Sequence, residues 1–149
     1  MSKKMLNVKI NGQDIQIAEG TTIMAAAETL GINIPRLCYH PDLSLEGACR
    51  VCIVEVKGMP HYMASCSVRV WDGMEVQTNS PVIRQARRDI VELLLDNHPK
   101  ECQTCERNGN CELQKLAYDM GVRERYYEGR RKHYKIDDSG SAVIRNPEK

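Results

Sequence analysis

Eight side chains in this sequence have the types and spacing of metal ligands. His98, Cys102, Cys105 and Cys111 run as His-x3-Cys-x2-Cys-x5-Cys. Cys38, Cys49, Cys52 and Cys66 run as Cys-x10-Cys-x2-Cys-x13-Cys. The chain holds 7 cysteines, an odd number, so full disulfide pairing would leave a thiol over. Counting His98 with the thiols gives two complete four-ligand sets instead. The pattern points to two metal or metal–sulfur centres on one small chain.

In the first set, the tight Cys49-x2-Cys52 pair is expected to converge on one iron atom, with Cys66 on a neighbouring strand closing the site. Gly47 and Ala48 precede Cys49, so the backbone can fold close and its N–H groups can donate to sulfur. Each sulfur must be a thiolate, which a bound metal enforces. In the second set, His98 and Cys102 lie about one helical turn apart, and Asn108-Gly109 supplies a turn that swings Cys111 back. Structural zinc is the alternative at both sites, since it accepts four thiolates or three thiolates and an imidazole. Zinc sites usually pair two short Cys-x2-Cys knuckles, and each set here has one. His40, His61 and His133 are read as ordinary polar residues, and an exposed or locally bonded side chain is expected for Arg50.

The bulk composition narrows the rest. A formal net charge of +1 argues against a general nucleic-acid binder. No apolar run approaches the ~18 residues of a membrane span. The first residues lead into an alternating stretch, not an apolar signal core, so the expected compartment is the cytoplasm, where clustered thiols bind metal more often than each other. There is no glycine-rich phosphate loop, no nucleophile–base pair and no open-site zinc set, so no catalytic site is expected within these residues.

The elements that must position the ligands can be traced from periodicity. Leu6, Val8 and Ile10 alternate, Asn11-Gly12 suits a type I′ turn, and Ile15 and Ile17 alternate again. Thr21 or Thr22 can cap a helix whose apolar face is Ile23, Ala26, Ala27 and Leu30, ended by Gly31. A loop runs from Pro35 to Gly47, and strands are expected over 51–56, 61–70 and 75–78. This order predicts an α+β fold, a β-grasp with one helix across a mixed sheet. Ser80 and Pro81 open a second helix, with Val82, Ile83, Ala86, Ile90, Val91, Leu93 and Leu94 as its apolar stripe and Arg84, Arg87 and Arg88 on other faces. Asn97 to Pro99 should end it, and Asn110 could cap a further helix closed by Gly121. The expected domains are 1–80, 81–121 and 122–149. The second is too small to bury a core alone, so a cluster would replace the missing core. The third is polar, with Arg123, Arg125, Arg130, Arg131 and Lys132, and reads as a solvated extension or a partner-docking segment.

The stretch Pro35-Arg-Leu-Cys38-Tyr-His-Pro41, followed by Gly47-Ala-Cys49-Arg-Val-Cys52-Ile-Val-Glu-Val56, resembles the variant 2Fe–2S domain at the start of two related families. These are the large iron–sulfur subunit of respiratory complex I and the iron-only hydrogenases, of electron-bifurcating or NAD(P)-linked type. His98-x3-Cys102-x2-Cys105-x5-Cys111 looks like the 4Fe–4S site that follows it there, and the surrounding residues lean toward the hydrogenases and related formate dehydrogenase subunits. The resemblance implies one 2Fe–2S cluster on Cys38, Cys49, Cys52 and Cys66, and one 4Fe–4S cluster on His98, Cys102, Cys105 and Cys111. It further implies an electron-transfer module of a multisubunit NAD(P)- or ferredoxin-linked hydrogenase, relaying electrons between a flavin-bearing partner and a catalytic domain lying beyond Lys149. A complex I-type or formate dehydrogenase relay is the alternative of the same class. A zinc-stapled interaction module is the alternative of another class.

Overall fold

The computed structural model describes residues 4–124 and 134–147. Arg125, Arg130, Arg131, Lys132 and His133 lie outside the described residues. The chain divides into two compact units, Met1–Arg87 and Arg88–Lys149.

The first unit is built on a five-stranded mixed sheet in the order β2-β1-β5-β3-β4. Leu6, Val8 and Ile10 of β1 (Met5–Ile10) face the core, as their alternation demands. Asn11 at φ 50° and Gly12 at φ 84° form the left-handed pair of a type I′ turn into β2 (Gln13–Ala18). β5 (Met74–Gln77) runs parallel to β1, and β3 (Ile53–Val56) and β4 (Met63–Ala64) complete the sheet antiparallel. Helix α1 (Ile23–Thr29) is capped by Thr22, whose hydroxyl accepts the Ala25 N–H at 3.2 Å. It contributes Ile23, Met24, Ala26 and Ala27 to the same core as the strands. This is the expected β-grasp.

One strand falls short of expectation. Only Met63 and Ala64 of the 61–70 segment pair as a strand. The chain then tightens, with the Ser67 and Val68 N–H groups donating to the Ala64 carbonyl, so Cys66 sits in a turn rather than along a strand. Residues 51 and 52 likewise form a turn before β3.

Helix α2 (Pro81–Asp96) opens as its sequence requires, with the Ser80 hydroxyl accepting the Ile83 N–H at 3.1 Å. The boundary between the units falls within it. Its buried face is narrower than the expected stripe: Ile83 and Val91 are buried, while Val82 and Leu93 are exposed. Arg87, expected on a polar face, is buried between Ile83 and Val91 in sequence, one helical repeat from each.

In the second unit, Arg88 and the buried Glu92 pair at 3.0 Å one turn apart. Helix α3 (Glu112–Asp119) is capped by Cys111 and not by Asn110, one residue later than expected. Asp137 and Arg145 exchange two backbone hydrogen bonds of 2.9 Å, a local bridge in what was expected to be an unpatterned extension. Among the described residues no helix is long and apolar enough to cross a membrane.

Candidate metal centres

The four cysteines of the first centre lie on three connections of the first unit. Cys38 is on the loop after α1, tethered by an Arg36–Glu28 ion pair and by Arg36 stacked 5.0 Å over the Tyr39 ring. Cys49 and Cys52 flank the turn into β3. Cys66 sits in the turn after β4. There the Ser65 N–H and hydroxyl both donate to the Cys52 carbonyl, at 3.1 and 2.7 Å, and the Met24 N–H of α1 donates to the Ser65 carbonyl at 2.9 Å.

The four thiols sort into two contact pairs, Cys38 with Cys49 and Cys52 with Cys66. Arg50 lies between Cys49 and Cys52 at φ 59°, in the left-handed region. Among the described residues, no three His, Cys, Asp or Glu side chains close on one ion position.

The backbone is turned toward these sulfurs. Gly47, at φ 59°, is buried, and the Cys49 N–H behind it donates to Cys38 Sγ at 3.4 Å. Burial pushes the Cys38 thiol up, but the N–H of Cys49, the Cys49 thiol and the N–H of Ala48 outweigh it and hold the group below its ordinary value. Burial raises the Cys49 thiol despite backbone donors at Val51, Cys38 and Leu37. The Cys66 thiol is pushed up to about 12 by burial, by its contact with Cys52 and by the charges of Cys52, Cys38 and Cys49. Four thiolates crowded together repel one another, and a cationic group between them reverses that balance. The donor set therefore fits a cationic iron–sulfur core held by four thiolates, with N–H donors at Cys38 and Cys49 offsetting the negative charge of the whole.

The second centre is a cavity of about 290 Å³ within the second unit, and His98, Cys102, Cys105 and Cys111 all line it. Cys102 opens a short 3-10 turn (Cys102–Thr104), and the Cys105 N–H closes it on the Cys102 carbonyl at 3.3 Å. The chain then reverses at Asn108-Gly109, with Gly109 at φ 79°. Gln114 of α3 grips that reversal from both sides, accepting the Gly109 N–H and donating to Asn108 Oδ1, each at 3.0 Å. Cys111 thus enters as the cap of α3. Three thiols and one imidazole line this cavity, donor types that suit a metal–sulfur group. His40 contacts Asp42 on the surface.

Arg87 was missed as a neighbour of the first centre. Its Nη2 donates to the Ile53 carbonyl at 2.6 Å, one residue beyond Cys52. The i, i+4, i+8 spacing of Ile83, Arg87 and Val91 was the available signal for its burial.

A family model described as the 2Fe-2S iron-sulfur cluster binding domain matches residues 3–81, just over half of the chain. The chain belongs to that family. A second model, the NADH-ubiquinone oxidoreductase-G iron-sulfur binding region, matches residues 87–125. The NADP-reducing hydrogenase subunit HndD of Solidesulfovibrio fructosivorans is 46% identical over 97% of this chain and 26% of its own length. The NADH-ubiquinone oxidoreductase 75 kDa subunit of Reclinomonas americana is 43% identical over 85% of this chain and 18% of its own. The mitochondrial NADH-ubiquinone oxidoreductase 78 kDa subunit of Candida albicans is 42% identical over 85% and 18%. The chain thus spans about a quarter or less of these relatives. The crystal structure of an NAD+-reducing NiFe hydrogenase in the H2-reduced state matches with a TM-score of 0.85 at 31% identity, over 96% of this chain and 60% of that one. The 75 and 78 kDa oxidoreductase subunits accord with the complex I resemblance, whereas the matched hydrogenase structure is of a NiFe enzyme and not of an iron-only one.

Proposed function

We propose that this chain is an electron relay with a 2Fe–2S cluster on Cys38, Cys49, Cys52 and Cys66 and a 4Fe–4S cluster on His98, Cys102, Cys105 and Cys111. One observation carries the proposal: His98, Cys102, Cys105 and Cys111 line one cavity, and it is supported by the N–H groups that donate toward Cys38 and Cys49 in the other set. Each cluster, when bound, takes up and returns single electrons. The protein's part is to hold, shield and tune. Cys52 and Cys66 are 2% and 1% exposed, so their end of the first centre is closed to water. The N–H groups of Ala48 and Cys49 favour added negative charge near Cys38. His98 supplies a neutral ligand where a thiolate would add a charge, which raises the potential of the second cluster.

The domains follow the same division of labour: 1–80 for the first cluster, 81–121 for the second, and 122–149 as a contacting segment. The larger setting is a NAD(P)-linked hydrogenase of iron-only type, with the relay between a flavin-bearing partner and a catalytic domain, in the cytoplasm. Support comes from the 46% identity to a hydrogenase subunit over nearly the whole chain. A complex I-type relay is the second reading, favoured by the match of residues 87–125 to the oxidoreductase-G region. The test is a redox titration of the anaerobically purified protein followed by EPR. Two reduced-state signals are expected, with Cys66→Ser abolishing one and Cys111→Ser the other. A wild-type protein with one signal, or none, contradicts the proposal.

A further inference from the structure

Arg87 is 4% exposed, and the charge that acts on it most directly is that of Cys52. Its Nη2 is anchored on the Ile53 carbonyl at 2.6 Å, which fixes the guanidinium beside the segment carrying Cys52. Its Nε is also buried and has no hydrogen-bond partner. A buried cation with an unmet donor is costly unless an anion compensates it. Burial lowers the guanidinium to about 10 against the opposing pull of Cys52, so it remains charged at neutral pH.

We propose that Arg87 is the fixed counter-charge of the Cys52–Cys66 end of the first centre, a positioning residue whose buried cation is compensated by the assembled cluster and raises that cluster's potential. The inference rests on the 2Fe–2S reading of that centre. Its physics is simple. The reduced cluster carries one more negative charge than the oxidised one, so a nearby fixed cation stabilises the reduced form more. The same cation is uncompensated when no cluster is present. Arg87 therefore ties the stability of the first unit to occupancy of the site. Ile83 and Val91, one helical repeat away on either side, are buried apolar residues, so helix packing alone does not explain a charge at this position.

The test compares Arg87→Gln and Arg87→Lys with the wild type in the full chain, by EPR-monitored redox titration. For Arg87→Gln the reduced-to-oxidised ratio of the 2Fe–2S signal, at the wild-type midpoint, is expected to fall about tenfold, a shift of about 59 mV to lower potential. Arg87→Lys keeps the charge and should recover most of that loss. The 4Fe–4S midpoint should not move in either variant. An Arg87→Gln midpoint equal to the wild type overturns the proposal. So does an equal drop in both variants, which would make the role one of shape and not charge. If Arg87→Gln loses the cluster, a lysine variant that retains it supports the proposal, and one that also loses it overturns it. Absence of a 2Fe–2S signal in the wild type would instead defeat the assignment on which the inference rests.

Discussion

Replacing Gly47 with alanine separates backbone strain from cluster chemistry. Gly47 has φ 59°, and a Cβ there would meet Ser67 Oγ at 3.4 Å, an ordinary contact. The steric cost is therefore small, and the left-handed backbone sets the penalty at about 1–2 kcal/mol. Gly12 in the β1–β2 turn has φ 84° and nothing within 4 Å of the same added atom. Gly12→Ala should incur a similar penalty for the same reason. In a unit of this size each kcal/mol lowers Tm by about 4–8 °C, so both variants should melt about 4–16 °C lower by calorimetry. Only Gly47 precedes the N–H groups of Ala48 and Cys49 that lower the Cys38 thiol. Relaxation at residue 47 swings those donors away from the sulfur, and the reduced cluster loses stabilisation. Gly47→Ala should thus show an altered 2Fe–2S EPR signal and a lower midpoint, while Gly12→Ala should match the wild type. Equal losses of stability with two unchanged signals would refute the N–H cradle.

Other outcomes follow from the same geometry. Arg50, exposed at φ 59°, should accept glycine with a change under about 1 kcal/mol in denaturant unfolding, whereas Arg50→Val should cost more than about 1 kcal/mol because β-branched residues resist that conformation. Gln114→Leu removes both bonds that grip Asn108 and Gly109 and should destabilise the second unit by about 1–2 kcal/mol. The 4Fe–4S absorbance should then bleach faster in air than in the wild type, with the 2Fe–2S signal unaffected. His98→Cys replaces a neutral ligand by an anion and should lower the midpoint of the second cluster in a redox titration. An unchanged or higher value would count against His98 as a ligand.

The parts legible in the sequence were those governed by local rules. Asn11-Gly12, Thr22, Gly31, and Ser80 with Pro81 each have one dominant use, and each stands where that use predicts. The alternation in β1 gave its buried face directly. The failures came where tertiary contacts override local pattern. The segment from His61 to Val70 reads as a strand, yet the turn that carries Cys66 leaves only Met63 and Ala64 paired as one. Arg87 was placed with the solvated arginines because charge was weighed above its helical position. At the second centre, the four side chains that line the cavity could be grouped from spacing, but the Gln114 clamp could not, since a glutamine on a short helix has no distinctive signature.

The central claim is that two iron–sulfur clusters occupy two distinct donor sets. Iron, acid-labile sulfide and zinc per chain, measured on protein purified without oxygen, test it most directly. About six iron and six sulfide are expected, with zinc at background. Stoichiometric zinc with neither iron nor sulfide would contradict that claim and make the chain a zinc-stapled module.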